Sequence, residues 1–193
     1  KVSLMLEEPS LSPRKQPSQA RSRAMFEAIL DAAARILVAD GLDRMTTNRI
    51  AERAGVGVGS LYQYFPNKDA VVAELAHRHK KETRTAVRSV SFTDDEPLHS
   101  VIRRIVRNHI ELHRVDPKLH VALARELPKL SKLDWHNELN HEIYQDLRAL
   151  FETHPLTSRR VNPDLVLFMI RTSVEAIIHT AIIQRQRDVT SGA

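Results

Sequence analysis

The sequence predicts an all-α fold in two parts, a small N-terminal three-helix domain followed by a larger helical one. No segment shows the apolar–polar alternation of a half-buried strand between turn signals. Apolar residues recur instead at three- and four-residue spacing along most of the chain. Glycine is scarce, five residues in 193, and four of the five lie between positions 41 and 59, where short helices are punctuated.

Composition narrows the class. Hydrophobic residues make up 42% of the chain, enough for a packed core. No apolar run approaches the ~20 residues of a membrane span, and no signal peptide stands out in a chain that opens at Lys1. Cysteine is absent, so disulfides and thiolate chemistry are excluded. These features fit a cytoplasmic protein with no membrane partner. The 29 basic and 24 acidic residues give a modest formal charge of +5. Arg14, Lys15, Arg21 and Arg23 fall in a stretch without an acid, and Pro13 and Pro17 disfavour helix there. Residues 1–20 are therefore expected to form a flexible basic arm, with a merely solvated tail as the other reading.

The first helix is expected from Ser22 to Asp40, with Phe26, Ile29, Leu30, Ala33, Ile36 and Leu37 on its apolar side and Gly41 as its stop. A short helix over 47–54 follows, capped by Thr46, with Ile50, Ala51 and Ala54 facing inward and Gly55 ending it. Val56, Gly57, Val58 and Gly59 read as a tight turn. A third helix over 59–65 places Leu61 and Phe65 on its buried side. Pro66 blocks its continuation and Asn67 caps a fourth helix from Lys68. Two short helices joined by a glycine-containing turn and packed on a longer one form a helix-turn-helix, which can hold its last short helix outward for a major groove. By spacing alone, a purely structural bundle stays open.

Residues 46–72, TTNRIAERAGVGVGSLYQYFPNKDAVV, carry more specific information. The Ile-Ala-x-x-Ala-Gly-Val block is Ile50 to Val56, and the Gly-Ser-Leu-Tyr-x-Tyr-Phe-x-x-Lys block is Gly59 to Lys68. With Ile29 to Ala33 and Gly41, they closely resemble the DNA-binding domain of the tetracycline-repressor (TetR) family. The family commonly has serine where this chain has Gly57, which offers no side-chain cap.

The resemblance implies a sequence-specific DNA-binding regulator, most simply a repressor released from a palindromic operator by a small molecule. Thr46, Thr47 and Asn48 open the second helix, where hydroxyls reach phosphate and Asn48 reaches a base edge. Val58 and Gly59 form the tip of the recognition helix, suited to a thymine methyl and to close backbone approach. Ser60, Tyr62, Gln63 and Tyr64 are expected exposed, with Gln63 pairing to adenine. Ser60, Tyr64 and Lys68 resemble phosphate contacts, and Tyr62 a contact to phosphate or to the groove wall. The expected divisions are an arm over 1–20, a helix-turn-helix domain over 21–67 and a regulatory and dimerisation domain over 68–193.

Beyond residue 68 the fourth helix runs to Arg88, turning from apolar to basic, as a connector between two bodies would. A fifth is expected over 98–115, a short sixth from Pro117 to Leu127, a seventh over 131–153 and a last one over 163–185. The last is apolar on two faces, so it needs two partners: its own core and the same helix of a second subunit. A central helix inside a monomer is the other reading. The family dimer commonly uses two C-terminal helices, whereas residues 186–193 are polar and too few for a second. The resemblance also implies an effector pocket for a small hydrophobic or aromatic molecule, with His109, Leu123, Trp135, Phe151, Phe168, Met169 and Arg171 as candidate lining residues.

Other functions have less to stand on. His109 and His113 share a helix face, but spacing supplies no third ligand and there is no His-Glu-x-x-His motif, so neither metal nor cofactor is expected. No glycine-rich phosphate loop or nucleophile motif points to an enzyme. A DNA-binding regulator or activator without a small-molecule inducer is the alternative.

Overall fold

In a computed structural model of the chain, residues 10–91, 93, 95–127, 134–153 and 162–190 are described. Among them the chain forms eight helices and no strand: α1 (Ala20–Asp40), α2 (Thr47–Ala54), α3 (Val58–Tyr64), α4 (Lys68–Arg88), α5 (Leu98–Val115), α6 (Pro117–Glu126), α7 (Asp134–Thr153) and α8 (Pro163–Thr190). The helix ends follow local chemistry. The Ser22 hydroxyl accepts from the Gln19 N–H at 3.1 Å, so α1 starts two residues earlier than its apolar stripe suggests. Gly55, at φ 68°, closes α2 in the left-handed region. Asn67 Oδ1 accepts from the Ala70 N–H at 2.7 Å and opens α4. Asp116 and Asn162 do the same for α6 and α8, each followed by proline at the first helical position.

The helices sort into two compact units, Lys1–His77 with Ala122–Leu133, and Arg78–Val121 with Asp134–Ala193. This differs from the expected division at residue 68. Ala70, Val71, Val72, Ala73, Leu75 and Ala76 are all buried, so the first turns of α4 belong to the N-terminal core rather than to a separate connector. In that core Phe26 of α1 lies 4.9 Å from the Phe65 ring and meets Tyr64 edge-on at 5.7 Å. Ile29, Leu37, Met45, Ile50 and Leu61 fill the space between the helices and are fully buried. At Gly41, φ 75° excludes most side chains, and a Cβ there would stand 3.7 Å from Glu126.

Residues 10–19 form no helix, as the prolines dictate, but they are anchored. The Arg14 N–H donates to the Tyr64 carbonyl at 2.7 Å, and Asn67 Nδ2 donates to the Ser10 carbonyl at 3.1 Å.

In the second unit Arg84 of α4 reaches two carboxylates of α7, Glu142 at 2.5 Å and Asp146 at 2.7 Å. The last helix is longer than expected and continues to Thr190. Leu167 on α8 is buried, whereas Leu165, Phe168, Met169 and Ile177 are more than half exposed. Residues 131–133, expected at the start of α7, lie outside the described residues.

Candidate nucleic-acid interface and ligand cavity

The short helix α3 is held by its inner face and displays the other. Leu61 and Phe65 are fully buried, while Val58 (37%) and Tyr62 (39%) stand exposed with Gly59 and Gln63; Ser60 is half-buried. Thr46 caps α2, its Oγ1 accepting from the Arg49 N–H at 3.2 Å, so part of its hydrogen-bonding capacity serves the helix itself. Thr47 Oγ1 lies 3.0 Å from the Tyr62 hydroxyl and ties the start of α2 to α3. Asn48 is exposed beside them.

Two residues sit differently from expectation. Tyr64 was expected on the exposed face, yet it is 6% exposed because its ring completes the aromatic cluster around Phe26. The helix ends at Tyr64, so Tyr64 and the capping Phe65 after it both turn onto the core. Lys68 does not simply project outward: its Nζ donates to the Leu42 carbonyl at 2.9 Å in a partly buried setting. The loop between α1 and α2 supplies that carbonyl, which helix periodicity does not register.

Arg14 was not singled out. Its backbone N–H and its guanidinium, 3.2 Å from the Tyr62 carbonyl, cap the last turn of α3 and set a cation beside it. Only the basic character of the arm hinted at this, since the contact spans 48 residues.

The second unit contains a cavity of about 120 Å³. Its apolar wall includes Val87, Ile105, Ile143, Leu167 and Ile170, and its polar lining includes Lys80, Thr83, Arg171 and four histidines, His79, His109, His113 and His120. The histidines form one patch. The His113 ring lies 3.8 Å from His120 and 4.2 Å from His109, and the tilted His79 ring lies 5.3 Å from His120. Burial, followed by repulsion from His113 and Lys80, pulls the His79 pKa down to about 4, so its ring is neutral at pH 7.

Of the expected lining residues, His109 and Arg171 border this cavity. Leu123 belongs to the other unit, buried at 2% exposure, so it does not line this space. Phe168 and Met169 point away from the core of their unit, because the turn of α8 that buries Leu167 faces them outward. The side chains of Trp135 and Phe151 lie outside the described residues. His79 and His120 were missed: they sit on α4 and α6, and only tertiary packing brings them to His113.

Two family models match the chain. Residues 29–75 match the bacterial regulatory proteins of the tetR family, and residues 97–191 match the tetracyclin repressor-like C-terminal domain. The chain belongs to the TetR family. The TetR-type match begins inside α1 and ends in the buried part of α4, so it covers the anchored α3 and both of its supports.

Among the relatives of this TetR-family chain, the nucleoid occlusion factor SlmA of Actinobacillus pleuropneumoniae is 35% identical over 78 residues, 40% of this chain and 38% of the relative. The class A tetracycline repressor from transposon 1721 of Escherichia coli is 31% identical over 108 residues, 55% of this chain and 49% of the relative. The match thus spans less than half the length of these curated relatives. The fold is shared more widely. The transcriptional regulator FadR of Bacillus subtilis, solved in complex with stearoyl-CoA, superposes with a TM-score of 0.65 at 19% identity, covering 83% of this chain and 89% of that one.

Proposed function

We propose that this TetR-family chain is a sequence-specific DNA-binding transcriptional regulator of the cytoplasm, acting as a homodimeric repressor that a small apolar effector releases from a palindromic operator. The observation that carries the reading is the division of labour on α3. Leu61, Tyr64 and Phe65 anchor it, and Val58, Gly59, Tyr62 and Gln63 are presented together to solvent. A helix held by one face and offering a methyl group, an amide and a hydroxyl on the other suits major-groove readout. Asn48 and Gln63 would read bases. Thr46, Thr47, Ser60, Tyr62 and the Lys68 ammonium would hold phosphates. No helix among the described residues is long and apolar enough to cross a membrane.

The dimer rests on α8. Leu165, Phe168, Met169 and Ile177 recur at helical spacing on an exposed side, and such an apolar stripe calls for a partner. Two copies would present two α3 helices to half-sites about one DNA turn or a multiple apart.

The effector reading rests on the cavity. At about 120 Å³ it would accept a group near the size of a benzene ring, since an engineered cavity of ~150 Å³ holds benzene. A longer acyl chain, such as the one bound by FadR, would need the cavity to widen. Effector would have to bind the poorly DNA-binding arrangement more tightly than the other. The lever is α4, a continuous helix that supplies Lys68 near its start and His79, Lys80, Thr83 and Val87 to the cavity wall.

Footprinting on the DNA flanking its own gene, with and without candidate aromatic and acyl compounds, tests the whole reading. A protected inverted repeat that effector releases supports it. Protection that no compound changes leaves a regulator without an inducer. Absence of any preferred duplex removes DNA readout altogether.

A further inference from the structure

We propose that His79, His113 and His120 form a binding site for a single divalent transition-metal ion of the zinc class, with its fourth coordination position open to the cavity. The three side chains come from α4, α5 and α6, all within one compact unit. One ring nitrogen from each lies within 4.8 Å of the other two.

The spacing suits coordination. His79 Nε2 and His120 Nδ1 stand 3.1 Å apart, and two imidazole nitrogens on a tetrahedral zinc, each at ~2.0–2.1 Å, are separated by roughly 3.3 Å. The other separations, within 4.8 Å, would shorten as the rings turn to the ion. Without a metal, two neutral rings at this distance share one proton; with a metal, both nitrogens turn a lone pair to the ion.

A hydrogen bond already orients the His113 ring. Its Nδ1–H donates to the His109 carbonyl at 2.7 Å, which fixes the tautomer and leaves the lone pair on Nε2. Metal-bound histidines ordinarily make this bond.

The donor set selects the metal. Three imidazoles, in a chain without cysteine, suit zinc, cobalt, nickel or copper and exclude a hard all-oxygen site for magnesium or calcium. All three ligands line the cavity, so the vacant position faces it. A dication beside an apolar wall needs a counter-charge, and the fourth ligand is therefore an anion, either hydroxide or the carboxylate of a molecule occupying the cavity. The metal site stands on its own geometry and does not depend on DNA recognition by α3.

The test titrates the full chain, stripped with a chelator, against zinc chloride by calorimetry and against cobalt(II) by visible absorption. One zinc per chain and an intense tetrahedral cobalt band support the site. His113→Gln and His120→Gln should each weaken zinc binding at least about tenfold and abolish the band, while the paired change of exposed His99→Gln and His141→Gln leaves both unchanged. Zinc binding that survives His113→Gln with His120→Gln, or that vanishes with the His99 and His141 pair, overturns the proposal. X-ray absorption of the zinc-loaded wild-type chain decides independently of variant folding. Three imidazoles support the site; two or fewer refute it.

Discussion

The Tyr62 hydroxyl and Thr47 Oγ1 lie 3.0 Å apart, so the exposed side of α3 is latched to the first turn of α2. A hydrogen bond in such an exposed place contributes little to folding, on the order of 1 kcal/mol or less. Its value lies in holding the angle of α3. Tyr62→Phe should shift the urea midpoint only slightly while weakening operator binding several-fold in a gel-shift titration. A loss of stability well beyond 1 kcal/mol would mean that the latch is structural instead.

Gly55 and Gly59 offer a contrast. Neither would place a Cβ within 4 Å of another group, so space decides nothing at either position. Gly55 has φ 68°, and Gly55→Ala should cost roughly 1–2 kcal/mol through backbone strain alone. Gly59 sits inside α3, and Gly59→Ala should stabilise the chain by up to about 1 kcal/mol. If α3 enters a groove at its tip, that more stable variant binds operator more weakly. Chemical denaturation and a DNA titration on the same two proteins separate these effects.

Lys68 and Gln63 should fail in different ways. The Lys68 ammonium holds the Leu42 carbonyl, so Lys68→Met is expected to cost about 1–3 kcal/mol of stability and to weaken every duplex alike. Gln63 is exposed, and Gln63→Ala should leave stability within about 0.5 kcal/mol while relaxing preference at a single base position. Competition with mutated operators measures the difference.

Phe26 ties α1 to the end of α3 through Phe65 and Tyr64. Phe26→Ala should destabilise the chain by about 3–5 kcal/mol, the cost of an aromatic-sized cavity in a core. Urea unfolding followed by circular dichroism would show it, and a value under 1 kcal/mol would place the core elsewhere.

On α8, Phe168 and Ile177 are 54% and 67% exposed. Phe168→Glu with Ile177→Glu should leave helix content unchanged and convert a dimer to monomers in light scattering at micromolar concentration. A variant that remains dimeric would move the interface off this face.

Much of the architecture was legible in the chain because helix boundaries are local events. Gly41, Gly55, Pro66, Asn67 and Pro163 act through their own torsions and caps, so the ends of α2 and α4 follow from the residues beside them. The three-residue and four-residue recurrence of Phe26, Ile29, Leu30, Ala33, Ile36 and Leu37 likewise determined which side of α1 is buried. The TetR resemblance over 46–72 came from the same short stretch.

Tertiary structure alone decided what depends on where one helix places a side chain on another. Tyr64 turns inward because Phe26, 38 positions earlier in the chain, is there to receive its ring. Lys68 finds its carbonyl 26 residues away, and His79 meets His120 across 41. Periodicity records the face a residue occupies on its own helix, not the neighbour opposite. That is why four-residue spacing placed His109 beside His113, whose rings lie 4.2 Å apart, while only packing brought His79 and His120 to them.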